Sequence, residues 1–155
     1  MTYELLRYLH VIGAMVLLGT GAGIAFFMLM SVRSRDPALI AHVAGIVVVA
    51  DTVFTATAAL IQPLTGLALA HHSGWPILSG WVFLSLGLYV LVGALWLPVV
   101  VIQIRMRNLA RTARDTGQKL PQAFFKLYRI WLAMGLPAFI SVLAILWLML
   151  TRPAL

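Results

Sequence analysis

The chain has 155 residues, of which 63% are hydrophobic and only 10% are charged, and its mean hydropathy is +1.02. A water-soluble domain carries about 25% charged residues, so this composition excludes one. The net charge of +7 does not indicate nucleic-acid binding, because the basic residues lie at the ends of apolar stretches, as membrane topology requires. The absence of cysteine excludes disulfides, thiolate metal sites and covalent haem attachment.

Three long stretches carry no Asp, Glu, Lys or Arg: residues 8–32, 52–104 and 130–151. A helix needs roughly 20 apolar residues to cross ~30 Å of hydrocarbon, so the middle stretch must cross twice. The sequence therefore predicts a single all-α domain over 1–155, a four-transmembrane-helix bundle. Its helices are expected over about 5–30, 37–70, 78–110 and 122–150.

Local signals mark the boundaries of these helices. The first helix is expected to be retained rather than cleaved, because Glu4 interrupts the basic region that a signal peptide needs. Asp36 and Pro37 suit the N-cap and first turn of the second helix. That helix is longer than a membrane requires, and Pro63 is expected to kink it. Residues 71–76 are rich in helix breakers and predict a turn.

The basic residues are strongly one-sided. Nine of the eleven flank the first and third predicted loops: Arg33, Arg35, Arg105, Arg107, Arg111, Arg114, Lys119, Lys126 and Arg129. The second loop has none, and Arg7 and Arg152 lie near the chain ends. The positive-inside rule places the first and third loops in the cytoplasm. We therefore expect a multi-pass protein of the bacterial inner membrane with both termini on the periplasmic side.

His10 is the first candidate for chemistry, because strongly polar groups are costly inside a bilayer. Gly13 and Gly21 recur on or near its helix face. Such a groove would accommodate a flat macrocycle, and imidazole is a usual haem ligand. The pattern thus fits haem b with iron bound by His10 and with Gly13 and Gly21 beside the ring. It also fits a packing groove, since Gly19 and Gly23 form a G-x-x-x-G motif.

A second ligand has three candidates. His71 and His72 fall on the same side of the membrane as His10, but on a straight helix they lie nearer its surface, and only one of them can point into the bundle. They fit either a ligand position or an interfacial loop. Gln62 lies close to the depth of His10. Its amide would bond His10 or a ligand, or satisfy backbone carbonyls that Pro63 leaves free.

Asp51 is a carboxylate placed deeper in the second helix, with Thr55 one turn further on. It could form an ion pair with Arg105 or Arg129, or relay protons together with Thr55. The ion pair is the preferred interpretation. Seven methionines raise the question of copper, but they are scattered and better explained as flexible core filling.

A family resemblance is carried by three segments: LLRYLHVIGAMVLLGTGAGIAFFML, ADTVFTATAALIQPLTGLALA and LYVLVGALWLPVVVIQIRMRNLA. They resemble the bacterial predicted integral-membrane family called domain of unknown function 2269, which implies an architecture but no activity. The first helix is more distantly similar to that of HemJ-type protoporphyrinogen oxidases and copper-resistance D proteins. That similarity implies His10 as a haem ligand. HemJ-type proteins also depend on a lysine, and this chain offers only Lys119 and Lys126 near a predicted cytoplasmic loop.

These features favour a haem b redox protein that exchanges electrons with quinone or a periplasmic partner. Two alternatives remain: a non-enzymatic accessory or assembly subunit, and a small homo-oligomeric transporter or channel lined by Asp51 and Gln62. The sequence contains no P-loop and no G-x-S-x-G, H-E-x-x-H or GxGxxG motif. Whether the protein is an enzyme therefore stays open at this stage.

Overall fold

The computed structural model describes residues 2–78 and 80–154, and over these ranges the chain forms four helices and no strand. We number them α1 (Tyr3–Ser34), α2 (Pro37–His72), α3 (Gly80–Asp115) and α4 (Gln122–Thr151). Each is long and apolar enough to cross a membrane, which confirms the predicted all-α bundle of four transmembrane helices. The helices begin and end within five residues of the predicted bounds, and the largest difference is the end of α3 at Asp115.

The turn between α1 and α2 uses the residues that the sequence singles out. Arg35 has a left-handed backbone conformation, with φ of 56°, and ends α1. Asp36 then caps α2, since its Oδ1 accepts a hydrogen bond of 2.9 Å from the backbone N–H of Ala38. Pro37 occupies the first turn of α2, where its missing N–H costs nothing. This tight connection holds α1 and α2 antiparallel.

A single π-helical turn, Asp51–Thr55, interrupts α2 between the α-helical segments Pro37–Ala50 and Ala56–His72. The backbone N–H of Ala56 bonds to the carbonyl of Asp51, five residues back. The extra residue rotates the two halves of α2 relative to each other. Such turns are rare and often occur at functional sites. Here the turn begins at Asp51, which is the one buried acid among the residues that the structure describes.

Pro63 leaves the carbonyl of Ala59 without its normal partner within α2, because proline has no backbone N–H. The hydroxyl of Tyr89 on α3 donates a hydrogen bond to this carbonyl. Tyr89 therefore fills the role that the sequence offered as one alternative for Gln62. The same bond joins α2 to α3 near the middle of the bundle.

The two ends of the bundle pack differently. We call the end that contains the α1–α2 and α3–α4 loops the arginine-rich end, and the opposite one the terminal end. The hydrophobic core lies towards the arginine-rich end and draws on all four helices: Ile24, Met28, Val32, Ile40, Ala41, Ala44, Val47, Val99, Met106, Ala110, Phe124 and Trp131. Towards the terminal end the helices form two pairs. There α1 packs on the second half of α2 and α3 packs on α4, with few contacts between the pairs.

Candidate functional site

His10 is held between α1 and α2 by a hydroxyl. Its Nδ1 lies 2.9 Å from Oγ1 of Thr65. The same Oγ1 lies 3.0 Å from the carbonyl oxygen of Ile61 and 3.2 Å from that of Gln62. A hydroxyl has a single proton, and these carbonyls accept it. In the tautomer with the proton on Nδ1, Oγ1 accepts the hydrogen bond from His10, and the lone pair of Nε2 is free in the neutral ring.

Two glycines allow this close approach of α1 and α2. A Cβ atom at Gly66 would lie 3.0 Å from Cε1 of His10, and one at Gly13 would lie 2.5 Å from Oε1 of Gln62. Each glycine thus admits a side chain of the opposite helix onto the backbone. Gly13, which the sequence predicts beside a haem ring, lies against the Gln62 amide in the structure.

At the other glycines of α1, an added Cβ atom would contact no other helix of the described chain. A Cβ at Gly19 or Gly21 would meet nothing within 4 Å, and one at Gly23 would meet only Phe27 of its own helix, at 3.8 Å. At the G-x-x-x-G motif, therefore, no other helix of the described chain packs against the glycines. The small-residue contact instead lies one to two turns nearer the terminal end, where Gln62 needs the space.

Gln62 is 7% exposed, and it points at Gly13 rather than bonding His10. Its Oε1 is buried and has no hydrogen-bond partner among residues 2–78 and 80–154. Native structures rarely leave such an atom unsatisfied, and each case requires an explanation such as a bound water or ligand. Gln62 is thus an open acceptor inside the bundle.

His71 and His72 form the last turn of α2 and are both exposed. Their rings contact each other edge to face, with centroids 6.3 Å apart. The structure therefore does not bring either of them to His10. Within the described ranges there is no group of three or more His, Cys, Asp or Glu side chains that could hold a metal ion.

Asp51 is the centre of a second polar cluster, and it is only 3% exposed. Nε1 of Trp96, on α3, donates to both carboxylate oxygens, at 3.1 and 3.2 Å. Gln103, also on α3, lies seven residues further along the same helix face. With its amide oriented to satisfy both neighbours, Nε2 donates to Oδ2 of Asp51 at 3.0 Å and Oε1 accepts from Nε1 of Trp131, on α4, at 3.1 Å. Asp51 thus ties three helices together.

No arginine takes part in this cluster, so the preferred ion pair of Asp51 with Arg105 or Arg129 is wrong. Both arginines are exposed at the arginine-rich end. The one ion pair in the described part of the chain is an exposed contact of 2.8 Å between Arg114 and Asp115. Long basic side chains extend towards water, while neutral N–H donors from the neighbouring helices already fill the site around Asp51.

The buried polar residues of α2 lie along one face of the helix. Asp51, Thr55, Gln62 and Thr65 follow each other at intervals of four, seven and three residues, and small Ala58 occupies the position between. All are buried. Oγ1 of Thr55, like Oε1 of Gln62, has no hydrogen-bond partner in the described structure. We call these four residues the polar face of α2. It extends from the middle of the bundle to His10.

Four apolar helices of spanning length around buried polar side chains define a polytopic helical membrane protein. The chain matches the family of predicted integral membrane proteins DUF2269 over residues 4–153, and it belongs to that family. This confirms the resemblance that the sequence shows. No curated protein and no solved structure matches the chain.

Proposed function

We propose that the protein binds haem b through Nε2 of His10 and acts in electron transfer with quinone or a periplasmic partner. The observation that supports this most is the hydrogen bond of 2.9 Å between Nδ1 of His10 and Thr65. Metal-bound histidines almost always donate the other ring N–H to a fixed acceptor, which sets the tautomer and the ring orientation. With its proton on Nδ1, His10 has that arrangement and presents a free lone pair at Nε2.

The packing near His10 also supports the proposal. In the terminal half of the bundle the α1–α2 pair and the α3–α4 pair have few contacts with each other. The four helices therefore do not pack into one apolar core in that half. Gly66 lets the imidazole ring lie directly on the backbone of α2, which helps to fix the orientation of the ring. When bound, haem would supply a one-electron carrier.

The proposal assigns His10 as the only protein ligand of the iron. His71 and His72 are exposed at the end of α2, and Gln62 lies against Gly13 instead of beside the ring. A haem with one histidine ligand keeps an open sixth position. The ferrous protein would therefore give the spectrum of a five-coordinate, high-spin haem, and carbon monoxide would convert it to a six-coordinate, low-spin form.

The side of the membrane on which this happens is also proposed from charge. Nine of the eleven basic residues belong to the arginine-rich end, so the positive-inside rule places that end in the cytoplasm of a bacterial cell. His10 then lies in the periplasmic half of the inner membrane. This location favours exchange with a periplasmic protein, or with a quinone in the outer leaflet.

The test is the visible spectrum of protein purified in detergent from cells supplied with a haem precursor. We expect a Soret band that His10→Ala removes and that Thr65→Val shifts, because valine cannot accept the proton of Nδ1. His42→Ala is the matched control, since His42 is exposed near the arginine-rich end, and it should leave the band unchanged. A wild-type protein without the band, or a band that survives His10→Ala unaltered, would contradict the proposal and favour an accessory subunit instead.

A further inference from the structure

Asp51 has an unusual environment for a buried carboxylate. It accepts hydrogen bonds from Trp96 and Gln103, which are neutral, and no Lys or Arg side chain of the described chain pairs with it. Buried charges in proteins are normally paired, coordinated or neutralised. N–H donors around the carboxylate would repel a metal cation, which needs oxygen ligands. A proton is the cation that this site can accept.

The protonated form would have a place for its O–H group. Thr55 lies one turn beyond Asp51, its side chain is buried, and its Oγ1 has no hydrogen-bond partner in the described residues. That oxygen can accept from a protonated carboxyl and can donate to an ionised one, because a hydroxyl does both. A rotation of the Thr55 side chain towards the carboxyl would therefore give either form of Asp51 a partner.

A route to Asp51 is laid out along the polar face of α2. From Asp51 to Thr65 it spans 14 residues, or ~21 Å at 1.5 Å per residue. The longest interval, between Thr55 and Gln62, is ~10 Å and contains small Ala58, so the side chains cannot bond directly. Both side chains at its ends are more than nine-tenths buried, and each presents an unsatisfied oxygen. Water bridging requires such polar partners.

The opposite direction is closed. Between Asp51 and the arginine-rich end lies the hydrophobic core, in which Met28, Ile40, Met106 and Phe124 are fully buried. Gln103 and Trp131 bond to each other across the boundary of that core. An apolar core packed in this way offers water no polar partner. Access to Asp51 is therefore from the terminal end alone.

We propose that Asp51 is a proton-binding site that exchanges with one side of the membrane only, through water molecules bound along Thr55, Gln62 and Thr65. The contacts of Asp51 do not involve His10, so the binding site itself does not depend on haem. Thr65, at the outer end of the route, is also the hydrogen-bond partner of His10. Among residues 2–78 and 80–154, no other titratable group is positioned to replace it. Apart from His10, the titratable residues in the charge-free spans of α1, α3 and α4 are Tyr8 and Tyr89.

The test is infrared difference spectroscopy of haem-free protein in phosphatidylcholine vesicles. Molecules with the terminal end outwards are identified by protection of the basic α3–α4 loop from added trypsin. A rapid drop in external pH should raise the C=O band of a protonated carboxylic acid, and the same drop inside the vesicle should not. The band should be absent in Asp51→Asn and present in Asp36→Asn, which changes an exposed acid. A band that follows internal pH, or no Asp51-dependent band with both compartments acidified, would overturn the proposal.

A matched pair of isosteric variants tests the route. Thr55→Val removes the buried, unsatisfied hydroxyl, whereas Thr57→Val removes an exposed hydroxyl that bonds at 2.6 Å to the carbonyl of Val53. Thr55→Val should slow the appearance of the band by about tenfold or more, as expected when a positioned proton-transfer group is lost. Thr57→Val should leave the rate unchanged. Equal rates in the two variants would show that protons reach Asp51 by another way.

Discussion

Replacing Gln103 by leucine tests whether the Asp51 cluster holds the bundle together. Leucine has nearly the same volume, so the change removes hydrogen bonds rather than packing. It leaves Nε1 of Trp131 without an acceptor and takes one donor from Asp51. Hydrogen bonds between transmembrane helices average ~0.6 kcal/mol, with a maximum near 1.7, and bonds to charged groups are worth about 1.5–3 kcal/mol. We therefore expect Gln103→Leu to lower the free energy of unfolding by about 2–3 kcal/mol.

A double-mutant cycle separates this bridge from a general effect on packing. Trp131→Phe alone should cost about 1 kcal/mol or more because it leaves Oε1 of Gln103 without a donor. The double variant Gln103→Leu/Trp131→Phe removes both the donor and the acceptor, so neither is left buried without a partner. The loss of unfolding free energy should therefore be about 1–2 kcal/mol less than the sum of the two single losses. The measurement is unfolding by sodium dodecyl sulfate in mixed micelles, followed by far-ultraviolet circular dichroism.

The control for this cycle is Trp147→Phe, which changes a tryptophan of the same helix that is 67% exposed. Its effect should add to that of Gln103→Leu within about 0.5 kcal/mol, as distant sites usually do. If the pair Gln103 and Trp131 were equally additive, Gln103 would not bridge Asp51 to α4, and the description of the cluster would be wrong.

Two further predictions concern contacts between other helices. Gly66→Ala should destabilise the protein because the new Cβ would lie 3.0 Å from His10. The control Gly93→Ala adds a Cβ with nothing within 4 Å, so it should be neutral or stabilise the protein by up to ~1 kcal/mol. If thermal unfolding ranked the two variants in the reverse order, the α1–α2 contact would be refuted. Tyr89→Phe should lower the free energy of unfolding by about 1–3 kcal/mol, because it leaves the carbonyl of Ala59 without a hydrogen-bond donor. Pro63→Ala restores the missing backbone N–H, so in that background Tyr89→Phe should have little effect. An unchanged effect there would contradict this explanation.

The architecture could be predicted because the bilayer imposes simple constraints. Charge-free stretches of spanning length give the four helices, and Asp36 with Pro37 marks the start of α2, as the structure confirms. Counting residues along the helices also predicts the depth of a side chain in the membrane. This count placed Gln62 close to the depth of His10, and placed His71 and His72 nearer the membrane surface. In the structure His71 and His72 are exposed.

The partners of Asp51 could not be predicted in the same way. They depend on the rotation of α3 about its axis, and a helix that is apolar on all sides carries no periodicity to fix that rotation. One signal was available: Trp96 and Gln103 are seven residues apart and thus share a face. The π turn at Asp51 is a second reason, because it rotates one half of α2 and has no sequence signature of its own.

The place of the hydrophobic core has a thermodynamic consequence. Met106 and Ala110 lie among the arginines of α3, and Phe124 precedes the first basic residue of α4. The basic residues around it predict that this part of the core lies at headgroup level, where water surrounds the bundle. Burial of apolar side chains is driven by water and gives no such driving force among lipid tails. The protein is thus stabilised in two solvents by two different forces. Urea should loosen the arginine-rich end first, while helix association within the hydrocarbon responds to the choice of detergent.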